Sequence, residues 1–165
     1  MVRLSAETVL VGHDGWYDAR HGAPKTTRVE LADFFAIEEL QGLGRAALLE
    51  RVRSMGDRAA HDADKALQTA ASTARRVTFA THVPPFREAC WHQGAISDDE
   101  WLPWFTCKAM GDVLVAVAEA YPETAFSVLC GHTHSEGQVQ IRPNLEVLTG
   151  KARYGAPDVC GVLVL

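Results

Sequence analysis

At 165 residues and 47% hydrophobic content, the chain can bury one sizeable core, so a single α/β-type domain over residues 1–165 is the natural expectation. Sixteen Lys and Arg against 21 Asp and Glu leave a net charge of -5 with no basic run, which argues against a nucleic-acid backbone as the main partner. No segment reaches the ~20 apolar residues of a membrane span. The opening MVRLSAETVLVG has neither the apolar length nor the cleavage site of a signal peptide, so a cytoplasmic protein with no membrane partner is expected.

In chain order, Thr8 to Gly12 (TVLVG) reads as a buried strand opening into a loop at His13-Asp14-Gly15. Glu30 to Leu40 spaces Leu31, Phe34, Phe35, Ile37 and Leu40 along one helical face and is punctuated by Gly42 and Gly44. Arg45 to about Ala74 repeats Leu48, Leu49, Val52, Met55, Ala59, Ala63, Ala66, Leu67 and Ala70 at helical spacing, with a charged and solvated opposite face. Val77 to Ala80 is a strand stopped by Pro84-Pro85. Met110 to Ala120 is an amphipathic helix closed by Tyr121-Pro122, and Phe126 to Cys130 is a second buried strand. Three short β-like runs follow, Gly137 to Ile141, Leu145 to Leu148 and Gly161 to Leu165. The fold class this order predicts is α/β, with mixed β-sheet layers flanked by helices.

Chemistry concentrates where two strands end in histidine: VTFAT runs into His82, and FSVLC runs into Gly131-His132-Thr133-His134. In open α/β sheets the carboxyl ends of strands line the ligand crevice, so three imidazoles are expected at one rim. His132 and His134 can approach neighbouring metal ions if they lie in a loop, and Gly131 is expected to supply the unusual backbone conformation. An isolated HxH pair reads more readily as ordinary polar loop residues than as ligands; the second histidine-terminated strand and the Pro-Pro after it strengthen the ligand reading.

ATHVPPF at 80–86 and CGHTH at 130–134 resemble the third and fourth signature blocks of the calcineurin-like metallophosphoesterases. The resemblance spans roughly residues 8 to 155, and it implies part of an α/β/β/α sandwich. It further implies a dinuclear site of divalent or trivalent ions of the Mn, Fe or Zn type, with a small phosphoester as substrate. Carried over by position, His82 and His132 would ligate one ion and His134 its neighbour.

The departures are as informative. The family's Asp-x-His, Gly-Asp and Asn-His blocks belong upstream of His82, and none is intact; Gly12-His13-Asp14 lacks the asparagine. The stretch from Gly12 to Trp16, running on to Arg20, aligns better with a later strand, so the chain is expected to be the carboxy-terminal portion of such a fold. Three neutral imidazoles bring no negative charge to offset two dications. Little or no activity is therefore expected unless another polypeptide or an upstream segment supplies carboxylates. An uncovered sheet edge or apolar face is expected as well, to be covered by a homodimer partner or the missing segment.

No catalytic acid or base can be assigned; His13 is the sole formal candidate. Phe86 to His92 is expected to overhang the site, which makes Arg87 and His92 substrate-binding candidates beside Arg20, and Asp18 pairs naturally with Arg20. Ser97 and Glu100 suggest a capping box before Trp101. Cys90, Cys107, Cys130 and Cys160 have no CxxC spacing and read as reduced, mostly buried thiols. Three functions compete: a metallophosphoesterase-like hydrolase, a non-catalytic metal-binding or interaction module on the same fold, and a Cys/His hydrolase using Cys130 or Cys107.

Overall fold

The computed structural model describes residues 1–162. In chain order the elements are β1 (Val2–Arg3), β2 (Thr8–Gly12), α1 (Asp33–Ala36), α2 (Arg45–Ala71), β3 (Arg76–Ala80), β4 (Trp91–His92), β5 (Ala95–Ile96), α3 (Leu102–Phe105), α4 (Lys108–Ala120), β6 (Ala125–Cys130), β7 (Gly137–Arg142) and β8 (Leu145–Thr149). The main sheet runs β1-β2-β3-β6-β8-β7. Strands β2, β3, β6 and β8 are parallel, and β1 and β7 are antiparallel edges. This is the mixed α/β architecture expected from the alternation of strands and helices.

Alternation along the strands sorts the two faces of the sheet. In register, Val11, Phe79, Val128 and Val147 form one continuous row, and each is buried. Helices α2 and α4 pack together over that face. The small side chains Ala59, Ala63 and Ala70 let α2 come close. Each large side chain buried here contributes roughly 1.5–3 kcal/mol against exposure.

The next row on the opposite face is Leu10, Thr78, Ser127 and Glu146, of which all but Thr78 are half-buried. Ser127 Oγ donates to Glu146 Oε1 at 2.7 Å, and Gln138 Nε2 donates to Glu146 Oε2 at 3.1 Å. Parallel strands usually bury both faces and read as unbroken apolar runs. Here only the helix-covered face follows that rule, while Leu129 and Leu148 remain half-exposed on the other. Among the described residues, no helix is long and apolar enough to cross a membrane.

Three local expectations need correction. The helix expected over Glu30 to Leu40 shrinks to the single turn α1, and Ile37 leaves it in an extended conformation. So short a segment gains little from helix cooperativity; its apolar residues instead seek separate places, with Phe34 and Leu40 buried and Phe35 66% exposed. Ser97 does not cap a helix: Asp98 Oδ1 accepts the N–H groups of Glu100 and Trp101, while α3 begins only at Leu102, next to Pro103. The strand expected over Gly161 to Leu165 is absent at 161–162, and 163–165 lie outside the described residues.

Candidate functional site

Gly12, Ala80 and Leu129 are aligned across β2, β3 and β6, so His13, His82 and His132 all leave the sheet at the same rim. Backbone bonds lace these exits together. His82 N–H donates to Asp14 O (3.0 Å), Gly131 N–H to His82 O (2.9 Å) and Thr81 N–H to Leu129 O (2.9 Å). Rigid strand ends delivering loop side chains are the usual way an α/β sheet builds a ligand crevice.

At the rim the imidazoles of His82 and His132 meet, with His82 Nε2 and His132 Nδ1 3.0 Å apart. On its far side His132 Nε2 lies 3.0 Å from the Trp104 carbonyl oxygen. A carbonyl only accepts, so Nε2 of His132 carries the proton and Nδ1 presents a lone pair toward His82. Burial pushes the His132 pKa down to about 4, against a weaker opposing effect of the Trp104 carbonyl, so the ring is neutral near pH 7. Tyr17, fully buried, stacks on this ring at 6.2 Å between centroids.

Gly131, contrary to expectation, does not take the left-handed conformation. His132 (φ 67°) and His134 (φ 59°) do. Non-glycine residues in that region carry a local energetic cost, which tends to persist at functional sites. The alternation swings His132 toward His82, while His134 lies edge-on to Tyr154 at 4.6 Å. His82, His92, His132 and His134 all line one cavity of about 620 Å³.

The other substrate-binding candidates lie elsewhere. Arg20 is held by Asp18 (2.9 Å) and Asp57 (2.8 Å) in a separate cleft on α2, and Arg87 pairs with Asp99 at 3.0 Å. Neither guanidinium lines the histidine cavity, because each is already engaged by carboxylates. His13 accepts the Gly15 N–H on Nδ1 (2.9 Å) and lines a neighbouring cleft of about 960 Å³ that shares Trp16 and His82 with the first.

Sequence reasoning missed Asp33, Tyr17 and Thr133, all lining the histidine cavity. Thr133 is buried and its hydroxyl has no partner, as is true of the Thr81 hydroxyl and the Trp104 indole N–H beside the same rim. Position between two histidines could have flagged Thr133, whereas nothing in spacing flags Asp33. Among the described residues, no three His, Cys, Asp or Glu side chains are gathered closely enough to hold an ion.

The cysteines lack the environment of nucleophiles. Cys90, Cys107 and Cys130 are buried, and burial pushes their pKa values up to about 11, 12 and 12. Reactive thiolates need the opposite shift.

What these residues define as a class is a mostly parallel sheet with a histidine-lined cavity at its strand ends. No family model matches the chain, and no curated protein matches it. Among solved structures it is similar to a dimetal phosphatase from Danio rerio, at 15% identity and a TM-score of 0.41 over 68% of this chain. The chain spans 32% of the length of that phosphatase.

Proposed function

We propose that the protein is a metal-dependent phosphoester hydrolase of the metallophosphoesterase type, with His82 and His132 holding one cation and His134 beside it. The observation that carries this reading is the 3.0 Å approach of His82 Nε2 to His132 Nδ1, with the tautomer of His132 set by the Trp104 carbonyl. Two imidazole nitrogens bound to one ion at ~2.0–2.1 Å lie roughly 3.0–3.4 Å apart. A ligand histidine almost always donates its other ring N–H to a carbonyl or carboxylate, as His132 does to Trp104. The orphaned hydroxyls of Thr81 and Thr133 suit a site that receives further oxygen ligands.

The same residues do not fit two ions. Dications ~4 Å apart repel by about 16 kcal/mol at an effective dielectric of ~20, and bridging anionic charge must offset this. A second ion would need carboxylates from another polypeptide or a further segment, and a second copy of the chain on the half-exposed sheet face is the partner arrangement we propose. A cation so held supplies charge for phosphoryl oxygens and acidity for water. The chain's own part is to fix the two imidazoles, keep His132 neutral, and offer His92 and His134 across the cavity to a small phosphoester. Reduced thiols suit a cytoplasmic setting.

A second reading, a cation-binding module without turnover, is favoured by one observation: no third ligand side chain is gathered with the pair among the described residues. One assay separates the two. With Mn²⁺ and an aryl phosphomonoester or diester, we expect at most weak turnover from the chain alone, which His82→Ala and His132→Ala each abolish. Turnover unchanged in both variants overturns the hydrolase reading at this cavity, while Mn²⁺ binding without turnover selects the module.

A further inference from the structure

We infer that the cleft between α2 and the ends of β2 and β3 is a pocket for an uncharged aromatic ring, which on the phosphoester reading above, where this inference rests, is the leaving group of the substrate. The cleft encloses about 960 Å³, within the ~300–1,000 Å³ typical of small-molecule pockets, and shares Trp16 and His82 with the histidine cavity. An ester whose phosphoryl group sits at His82 therefore has this cleft beside it for the remainder of the molecule.

The apolar part of the lining comes from both layers of the fold. Along α2, Met55 and Ala59 lie one turn apart and form a strip of the cleft wall, and the sheet rim adds the Trp16 indole and Ala80. A flat indole beside an adaptable thioether is a surface that favours another flat ring. Gly15 has φ 73°, and a Cβ on it would stand 2.5 Å from Thr81 Oγ1, so glycine is what lets the Trp16 loop lie against the end of β3. The Trp16 indole N–H and the Thr81 hydroxyl in this wall have no partner, which marks it as a surface awaiting a ligand rather than finished packing.

Charge decides which kind of ring. Two exposed acids, Asp14 and Asp62, line the cleft against one arginine, Arg58, whose guanidinium donates to Ser54 Oγ at 3.2 Å and joins no ion pair among the described residues. With the imidazoles neutral, the lining carries one more negative charge than positive. A leaving group bearing its own carboxylate or phosphate is therefore repelled, while an uncharged ring is not.

NMR titration of the full chain, without metal, with benzyl alcohol tests the inference. The alcohol is expected to shift the Trp16 Nε1–H and Met55 methyl resonances, 4-(hydroxymethyl)benzoate to bind at least about threefold more weakly, and ethanol to shift neither. Met55→Ala should weaken the binding of benzyl alcohol. Asp14→Asn combined with Asp62→Asn, both at exposed positions, should bring the two aromatic probes to equal affinity. Thermal melting checks that Met55→Ala keeps its fold, and the doubly substituted chain carries the comparison if it does not. Benzyl alcohol that leaves both resonances unmoved, or binds a folded Met55→Ala as well as wild type, overturns the pocket. Equal affinity of wild type for the two aromatic probes overturns its preference for an uncharged ring. Neither result bears on the hydrolase reading, which falls instead if turnover persists in His82→Ala and His132→Ala.

Discussion

Two polar clusters in this molecule look alike in composition and behave as opposites. Around Asp18 every group is answered: its carboxylate, 0% exposed, takes Arg20 Nη1 at 2.9 Å, the Arg20 N–H at 3.2 Å and the Ala109 N–H at the start of α4 at 2.8 Å. Around His132 the balance is left open. Two imidazoles meet, the carboxylate across the cavity stands off, and the Thr133 and Thr81 hydroxyls have no partner. A buried polar group that is fully bonded holds a fold together, while one left short of partners marks a place built for something else.

The largest expected effect sharpens the first half of that contrast. Asp18→Ala strands Arg20 and the α4 terminus, and breaking a buried pair in this way should cost about 3–5 kcal/mol. The thermal midpoint should fall on the order of 10 °C, with Mn²⁺ binding by the folded fraction retained. A loss near zero would remove the distinction between the clusters.

The second effect is one of pH. His132 has a folded-state pKa of about 4, below the ordinary value of 6.5, because burial disfavours its charge. The unfolded chain therefore takes up a proton first as pH drops. The stability contributed by keeping this ring neutral is fully present above 6.5 and is lost as pH falls from 6.5 toward 4, by at most about 3 kcal/mol at 1.36 kcal/mol per unit. Urea melts across that window should show the decline in wild type and a shallower one in His132→Gln. Equal slopes would mean another group is responsible.

Smaller still is the stability effect of His82→Ala. His82 is exposed, so the change should stay within about 1 kcal/mol while Mn²⁺ binding is lost. Large destabilisation would recast the imidazole pair as structural. Least of all, Arg87→Ala removes an exposed ion pair with Asp99 and should move stability by under ~0.5 kcal/mol, with turnover unchanged.

What could be read beforehand follows the range of the forces involved. Strands β2, β3 and β6 and helices α2 and α4 were legible because each carries its own period, two or 3.6, over enough residues to reveal a buried face. The two-residue strands β1, β4 and β5 carry no period and appear only once partners are in place. The meeting of His82 and His132 was legible because both are tethered directly to strand ends. Arg20 was legible as a partner of Asp18, but its second carboxylate, Asp57, comes from 37 residues away on α2, and that pairing keeps it out of the cavity. Asp33 was hidden for the same reason: its place depends on Tyr17, sixteen residues earlier, and on a helix that stops after one turn.

The central claim is that the His132 Nδ1 lone pair is held ready for a cation by the Trp104 carbonyl. Nitrogen-15 NMR of the histidine side chains, recorded before and after adding Zn²⁺, addresses it directly. We predict that His132 carries its proton on Nε2 throughout, and that Nδ1 of His132 and Nε2 of His82 both shift on metal addition. A proton found on Nδ1, or two rings that ignore the metal, would contradict the account.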